Sequence, residues 1–145
     1  MPERDWTRAR ELLRTEDCAL ALVKDDDVRL MQGHGVRPLL TMVDEGEDLI
    51  GFSAADKVVG QAAAWLYITL GVTRVHGELM SEGAKTLLED NNIACSGTTF
   101  VPVILNRTRD DWCPMEKSVK DAQDAKEATE AMRQTRARMM GQKRA

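Results

Sequence analysis

Near the end of the chain, the segment NRTRDDWCPME contains five side chains that could bind or attack a small molecule: Asn106, Arg107, Thr108, Cys113 and Glu116. A guanidinium grips phosphate or carboxylate through its planar fork, and an amide and a hydroxyl can hydrogen-bond to the same ligand. Cys113 precedes a proline, as expected at a helix start, where a thiol becomes a better nucleophile. Alternatively, Cys113 is a small buried capping residue and Glu116 completes the helix cap around it.

A second candidate is the pair Asp56 and Lys57 in the apolar run SAADKVVGQAAAWLYITL (53–70). We predict one buried helix over this run, with Ser53 as its cap and Gly71 as its stop. A helix N-terminus attracts anions, so Ser53 and Lys57 could bind a phosphate. Asp56 could accept a hydrogen bond from a ribose hydroxyl, or the pair could serve as acid and base. The alternative is a capping carboxylate beside a surface lysine.

Residues that bind metal ions are few and scattered. The three cysteines, Cys18, Cys95 and Cys113, are odd in number and form no C-x-x-C pair, and the two histidines, His34 and His76, stand alone. Neither a disulfide framework nor a closed zinc site fits this pattern. We therefore expect free thiols, as in a reducing cytoplasm, no metal site and no cofactor.

Length and composition indicate one globular domain. The chain has 145 residues, of which 43% are hydrophobic and 30% charged. No apolar run approaches the roughly 18 residues that would suggest a membrane span. The opening MPERDWTRARELL is charged and does not resemble a secretory signal. These features predict a cytoplasmic protein with no membrane partner.

The charge is distributed unevenly along the chain. All 24 acidic residues lie at or before Glu130, whereas the last fifteen residues carry five basic and no acidic side chains. Such a tail could contact RNA or an acidic partner, but we favour a solvated, loosely attached terminus and expect no nucleic-acid partner. We predict a domain over residues 1–125 and a charged C-terminal helix or tail over residues 126–145.

The predicted elements alternate between helices and strands. Around the helix at 53–70 we predict helices at 4–15, 36–45 and 81–91, a hairpin of 18–23 and 28–31, strands at 72–79, 93–96 and 99–105, and a helix that starts after Cys113. The strand-helix-strand order after residue 71 favours parallel neighbours joined by right-handed crossovers. The fold class is therefore α/β, a three-layer α-β-α sandwich with a mixed sheet flanked by helices.

Four blocks of the sequence resemble one prokaryotic family. VKDDDVRLMQGHGVRPLL, SAADKVVGQAAA, LMSEGAKTLLE and VPVILNRTRDDWCPMEKSV together resemble the domain of unknown function DUF1893, a divergent branch of the cytidine deaminase-like superfamily. The similar blocks extend over residues 18–120, which is most of the chain. The resemblance implies a deaminase-like fold, and it supplies no reaction.

The zinc-binding positions of that superfamily are not matched. In zinc deaminases an H/C-A-E motif opens the buried helix and a P-C-x-x-C motif opens the next one, so that three ligands hold a zinc ion that activates water. The resemblance places Ala55, Asp56 and Lys57 on the first motif, and Ser81 and Ala84 on the two cysteines of the second. We therefore expect no zinc-activated water.

The sequence favours a zinc-less deaminase-like protein that binds a nucleotide or another phosphate-bearing small molecule. One alternative is a metal-independent enzyme that uses Cys113 or the Asp56/Lys57 pair. Another is a structural or regulatory module that forms homo-oligomers and contacts partners through the basic tail. Whether the chain is an enzyme stays open at this point.

Overall fold

The computed structural model describes residues 2–33 and 35–144, and the side chains of residues 3–33 and 35–141. His34 and the side chains of Lys143 and Arg144 in the predicted tail lie outside these ranges. In chain order the elements are α1 (Pro2–Thr15), β1 (Leu20–Lys24), β2 (Asp27–Met31), α2 (Arg37–Asp44), β3 (Ser53–Val59), α3 (Gln61–Leu70), β4 (Arg74–Ser81), α4 (Glu82–Asp90), β5 (Ala94–Val101), α5 (Pro114–Ser118) and α6 (Ala125–Arg144).

The strands form one mixed sheet in the order β2-β1-β3-β4-β5. β1 pairs antiparallel with β2 and β3, while β3, β4 and β5 are parallel. α3 and α4 connect the parallel strands and pack against each other on one face of the sheet, and α1 packs against β1 and β3 on the other. The predicted three-layer α/β sandwich with a mixed sheet is therefore confirmed.

Side chains of β1 alternate between two hydrophobic clusters, as strand geometry requires. Leu20 and Leu22 belong to the main core beneath α3, whereas Ala21 and Val23 pack with the cluster of α1. α6 adds to the main core, since Ala128 and Met132 are fully buried. The segment predicted as a charged C-terminal helix or tail thus forms one helix, which packs on the core through Ala128 and Met132.

The single helix predicted over residues 53–70 is wrong. Residues 53–59 form β3, and the helix begins only at Gln61, with Gly60 as its N-cap. β3 lies in the middle of the sheet between β1 and β4, and a strand buried on both faces reads as a continuous apolar run that periodicity cannot distinguish from a buried helix. The adjacent β-branched residues Val58 and Val59 favour a strand. Ser53 consequently starts a strand and caps no helix.

The strands predicted at 93–96 and 99–105 are one continuous strand, β5, which ends at Val101. Gly97 and Thr98, which looked like a break, lie within it. Pro102 follows directly, where a residue without an N–H group cannot extend the ladder. The helices predicted at 36–45 and 81–91 are present as α2 and α4.

Candidate functional site

Asp56 and Lys57 do not form the predicted acid–base pair at a helix mouth. Successive residues of a strand point to opposite faces, and Asp56 lies beneath α3 with 8% of its surface exposed. The Tyr67 hydroxyl donates to Asp56 Oδ2 at 2.7 Å, and the Val58 N–H donates to Oδ1 at 3.3 Å. Lys57 is exposed on the other face, close enough to Cys18 for its charge to oppose the rise in the thiol's pKa that burial causes.

Burial controls the ionisation of Asp56. Removal of the carboxyl from water raises its pKa to about 7, against the opposing effect of the hydrogen bonds from Tyr67, Val58 and Lys57. Burial and the neighbouring carboxyl also raise the pKa of Tyr67 well above its ordinary value. Asp56 is therefore a buried acid that binds its proton near neutral pH.

The opening of α3 is occupied by a side chain from a distant part of the chain. Glu116 of α5 accepts hydrogen bonds from the N–H groups of Gln61 and Ala62, each at 2.7 Å. Gly60 makes this approach possible, because a Cβ at that position would lie 2.1 Å from Glu116 Oε1. Glu116 is 6% exposed, and burial raises its pKa while the two N–H groups act in the opposite direction. An internal carboxylate thus fills the anion site that a free helix N-terminus would offer.

The opening of α4 lies beside that of α3. Ser81 caps α4 by accepting from the Ala84 N–H at 3.1 Å. A Cβ on Gly83 would lie 2.2 Å from Gln61 Nε2, so the Gln61 amide fits against the first turn of α4. The two helix openings are thus joined by side chains of this chain.

The residues at these openings do not fit a zinc ion. Ala55, Asp56 and Lys57, which were placed on the first motif, lie in β3, and the buried helix opens with Gly60, Gln61 and Ala62. Neither this triplet nor Ser81 and Ala84 supplies a histidine or cysteine ligand. In the described part of the chain, no three His, Cys, Asp or Glu side chains converge in a way that could hold a metal ion.

Asn106 and Thr108 are used inside their own loop, which is closed by the bridge between Leu105 and Trp112. Asn106 Nδ2 donates to Asp110 Oδ1 at 2.9 Å, and Thr108 Oγ1 donates to the same oxygen at 2.5 Å. Both side chains thus form hydrogen bonds within the loop. Arg107 is exposed in the same loop.

Cys113 is the N-cap of α5, as predicted, but its side chain forms no capping hydrogen bond. It is half-buried, and Glu116, three residues later, caps α3 instead of its own helix. The described histidine, His76, lies on β4 with Nδ1 2.6 Å from Ser96 Oγ, so it is engaged elsewhere. Among the described residues, Cys113 therefore has no histidine that could act as its base.

A cleft of about 450 Å³ lies between the 105–112 loop, α5 and α6. Its walls combine one aromatic ring, two cations, an amide, two hydroxyls and a carboxylate, from Asn106, Asp111, Trp112, Pro114, Lys117, Ser118, Thr135, Arg138 and Met139. We call this the Trp112 cleft. Of the predicted ligand-binding residues only Asn106 lines it; Ser53, Arg107, Thr108 and Glu116 do not.

Charges in the Trp112 cleft are unevenly neutralised. Lys117 forms an ion pair with Asp111 at 2.5 Å. Arg138 donates to the Thr135 hydroxyl at 3.1 Å and forms no ion pair among the described residues. Sequence reasoning missed Trp112, Lys117 and Arg138, since Arg138 was placed in a solvated tail. The feature of the sequence that could have indicated this cleft is Trp112, an aromatic residue within a polar loop.

The fold and these contacts define a three-layer α/β protein whose two neighbouring helix openings are filled from within. The chain belongs to the family described as domain of unknown function DUF1893, whose profile matches residues 8–135. The family predicted from the sequence blocks is therefore confirmed.

Solved structures of similar fold include a DUF1893 family protein from Thermotoga maritima. It is 21% identical, with a TM-score of 0.81 over 94% of this chain and 90% of that chain. A dCMP deaminase from the cyanophage S-TIM5, in its apo form, is 12% identical, with a TM-score of 0.41 over 66% of this chain and 95% of that one. No curated protein matches the chain. Among the described helices, none has the length and apolar character needed to cross a membrane.

Proposed function

We propose that this protein binds a nucleotide, or a similar phosphate-bearing aromatic molecule, in the Trp112 cleft. The observation that carries the proposal is the convergence of the Trp112 ring with Arg138 and Lys117 around one opening of about 450 Å³. That volume falls within the usual range of small-molecule sites, which is roughly 300–1,000 Å³.

Each part of a nucleotide has a chemical counterpart in the cleft. Lys120 Nζ lies 5.1 Å from the centre of the Trp112 ring. The opposite face of the ring is the one on which a base can stack. Arg138 presents a planar fork to phosphate, and its side-chain partner among the described residues is the uncharged hydroxyl of Thr135 rather than a carboxylate. Ser118 and Thr135 add hydroxyls that suit ribose or phosphate oxygens.

The electrostatics favour an anion at the α6 side of the cleft. Asp111 would repel a phosphate, but Lys117 neutralises it at 2.5 Å. Arg138 belongs to the last fifteen residues, which carry five basic and no acidic side chains. Arg133 and Arg136 of this segment pair with Asp44, each at 2.7 Å. Arg138 is therefore the cation of the described segment that can attract phosphate to this side of the cleft.

Calorimetric titration of the full chain with AMP, ADP and UMP tests the proposal. Arg138→Ala should weaken binding by roughly ten- to a hundredfold, because it removes hydrogen bonds between charged groups. Arg8→Ala, a matched change of an exposed arginine on α1, should leave the affinity unchanged. Binding that is lost in Lys57→Ala but retained in Arg138→Ala would instead place the ligand near β3. No binding by any of these nucleotides would contradict the proposal.

A metal-independent enzyme that uses Cys113 is a second candidate, since Cys113 lies between two residues that line the cleft, Trp112 and Pro114. Burial raises the pKa of both Cys18 and Cys95, so slow alkylation of these two thiols is expected in any case. The informative experiment is protection. A nucleotide bound in the cleft should slow alkylation of Cys113. An unchanged rate of alkylation would mean that this thiol lies outside the ligand site.

A further inference from the structure

The outer edge of β5 lacks the protection that sheet edges normally have. β5 is the last strand of the sheet, and no other strand among the described residues pairs with its outer side. Its eight residues, ACSGTTFV, include no charged side chain, and Phe100 is 41% exposed. A long uncharged strand with unpaired N–H and C=O groups is a template for another strand.

The opposite edge of the sheet is protected. β2 has five residues and contains Asp27 and Arg29. Arg29 pairs with Asp27 at 3.3 Å and with Glu47 at 2.7 Å, so charges line this edge. Charged side chains on an edge strand oppose pairing with another chain. Of the two edges, β5 is therefore the one suited to a partner strand.

Charges that border β5 match a second copy of the same strand. On α4, Lys85 Nζ lies 5.7 Å from the centre of the Phe100 ring, near the C-terminal end of β5. Glu89 lies one turn later on α4, which runs opposite to β5 and so brings Glu89 closer to the N-terminal end of the strand. Both charges act on the Cys95 thiol near that end, where Glu89 adds to the rise in its pKa that burial causes and Lys85 opposes it. The edge thus has a positive and a negative end, which is self-complementary under a two-fold rotation.

We propose that β5 pairs antiparallel with β5 of a second copy, so that two sheets join into one continuous sheet. Pairing about the midpoint of the strand places Phe100 of one copy opposite Cys95 of the other, and Lys85 then faces Glu89 of the second copy. The two-fold axis closes the assembly as a dimer. No residue that lines the Trp112 cleft belongs to β5 or α4, so dimerisation and ligand binding are separate claims.

Sedimentation equilibrium of the full chain and its charge-reversal variants tests the pairing. Lys85→Glu would face Glu89 of the second copy, and Glu89→Lys would face Lys85. Each should weaken the dimer roughly tenfold, because attraction becomes repulsion in both symmetric halves. The double variant, Lys85→Glu with Glu89→Lys, recreates both pairs and should restore the wild-type dissociation constant. If Lys85 and Glu89 interacted only with residues of their own copy, neither single reversal would change the mass measured by sedimentation.

A second pair of variants locates the interface. Thr98→Lys places two lysines near the symmetry axis and should yield monomers, whereas Leu30→Lys, on the exposed side of β2, should leave the dimer intact. Circular dichroism confirms that both variants are folded. A wild-type chain that sediments as a monomer at every concentration overturns the proposal. So does a dimer that Thr98→Lys leaves unchanged, or a double reversal that fails to restore it.

Discussion

Replacing Gly60 with alanine should destabilise the protein only while Glu116 is present. Gly60 has φ −101° and ψ −171°, an extended conformation that any residue adopts, so the backbone does not require glycine. The obstacle is the carboxylate, because a Cβ would lie 2.1 Å from Glu116 Oε1 and 2.4 Å from Cδ. Glu116 would have to withdraw and leave the N–H groups of Gln61 and Ala62 without their acceptor.

The contacts set the size of the effect. A hydrogen bond to a charged group contributes about 1.5–3 kcal/mol, so loss of both bonds removes about 3–6 kcal/mol before water partly replaces them. We expect Glu116→Ala to lower the free energy of unfolding by about 3 kcal/mol, and Gly60→Ala by a similar amount. Glu116→Gln keeps one acceptor and should lose about half as much. Once Glu116 is alanine, Gly60→Ala should stabilise by about 0.4–1 kcal/mol, since it restricts the unfolded chain.

Urea unfolding at pH 7, followed by circular dichroism, gives the four free energies of this double-mutant cycle. The predicted coupling is about 3 kcal/mol, because both single changes remove the same two bonds. Additive effects would refute the reasoning, since they would mean that Gly60 and Glu116 do not meet. Gly83→Ala is the control: its Cβ would displace only the end of the flexible Gln61 side chain, so a smaller loss is expected.

Three further changes test the buried acid and the α6 packing. Asp56 has its pKa raised to about 7 from an ordinary 3.8, so its contribution to stability is fully present below pH 4 and is lost as the pH rises through 7. In urea unfolding, the free energy of unfolding of Asp56→Asn should therefore be roughly 2–4 kcal/mol higher than that of wild type at pH 8.5, but not at pH 4.5. The same difference between variant and wild type at both pH values would contradict this. Tyr67→Phe removes a donor to the carboxylate and should move the loss of stability to higher pH, as pH-dependent melting would show; an unchanged midpoint would count against the Tyr67 bond. Asp44→Ala breaks contacts to Arg133 and Arg136, each at 2.7 Å, and should cost about 1 kcal/mol at low salt and less in 1 M salt; a cost independent of salt would argue against ion pairing.

Local signals predicted much of the fold. The helices predicted at 36–45, at 81–91 and after Cys113 all have local markers in the sequence. Pro38 lies in the first turn of α2, Ser81 caps α4, and Pro114 follows Cys113 at the start of α5. β3 was missed because a strand buried on both faces has no alternating pattern, and because Gly60 looked like a small helical residue rather than the boundary. Secondary structure was therefore predictable where caps and turns mark it.

The candidate site was harder to predict, because its contacts join distant residues. Glu116 is 55 residues from Gln61, and its position three residues after Cys113 is equally typical of a local helix cap. The Trp112 cleft requires α6 to pack on the domain, yet the basic composition of that segment suggested a solvated tail. Ordering and burial of α6 depend on Ala128 and Met132, whose tertiary contacts have no local signature.

The most direct test of ligand binding in the Trp112 cleft is an NMR titration of the three tryptophan indole N–H signals with AMP. The signal that disappears in Trp112→Phe is the one that belongs to the cleft. Trp112 lies in the cleft wall, whereas Trp65 packs in the main core and Trp6 lies on α1 beneath Arg74. We predict a saturable shift of the Trp112 signal that Arg138→Ala weakens, with the other two signals unchanged. A saturable shift of only the Trp6 or Trp65 signal, or no shift of any signal, would contradict ligand binding in the Trp112 cleft.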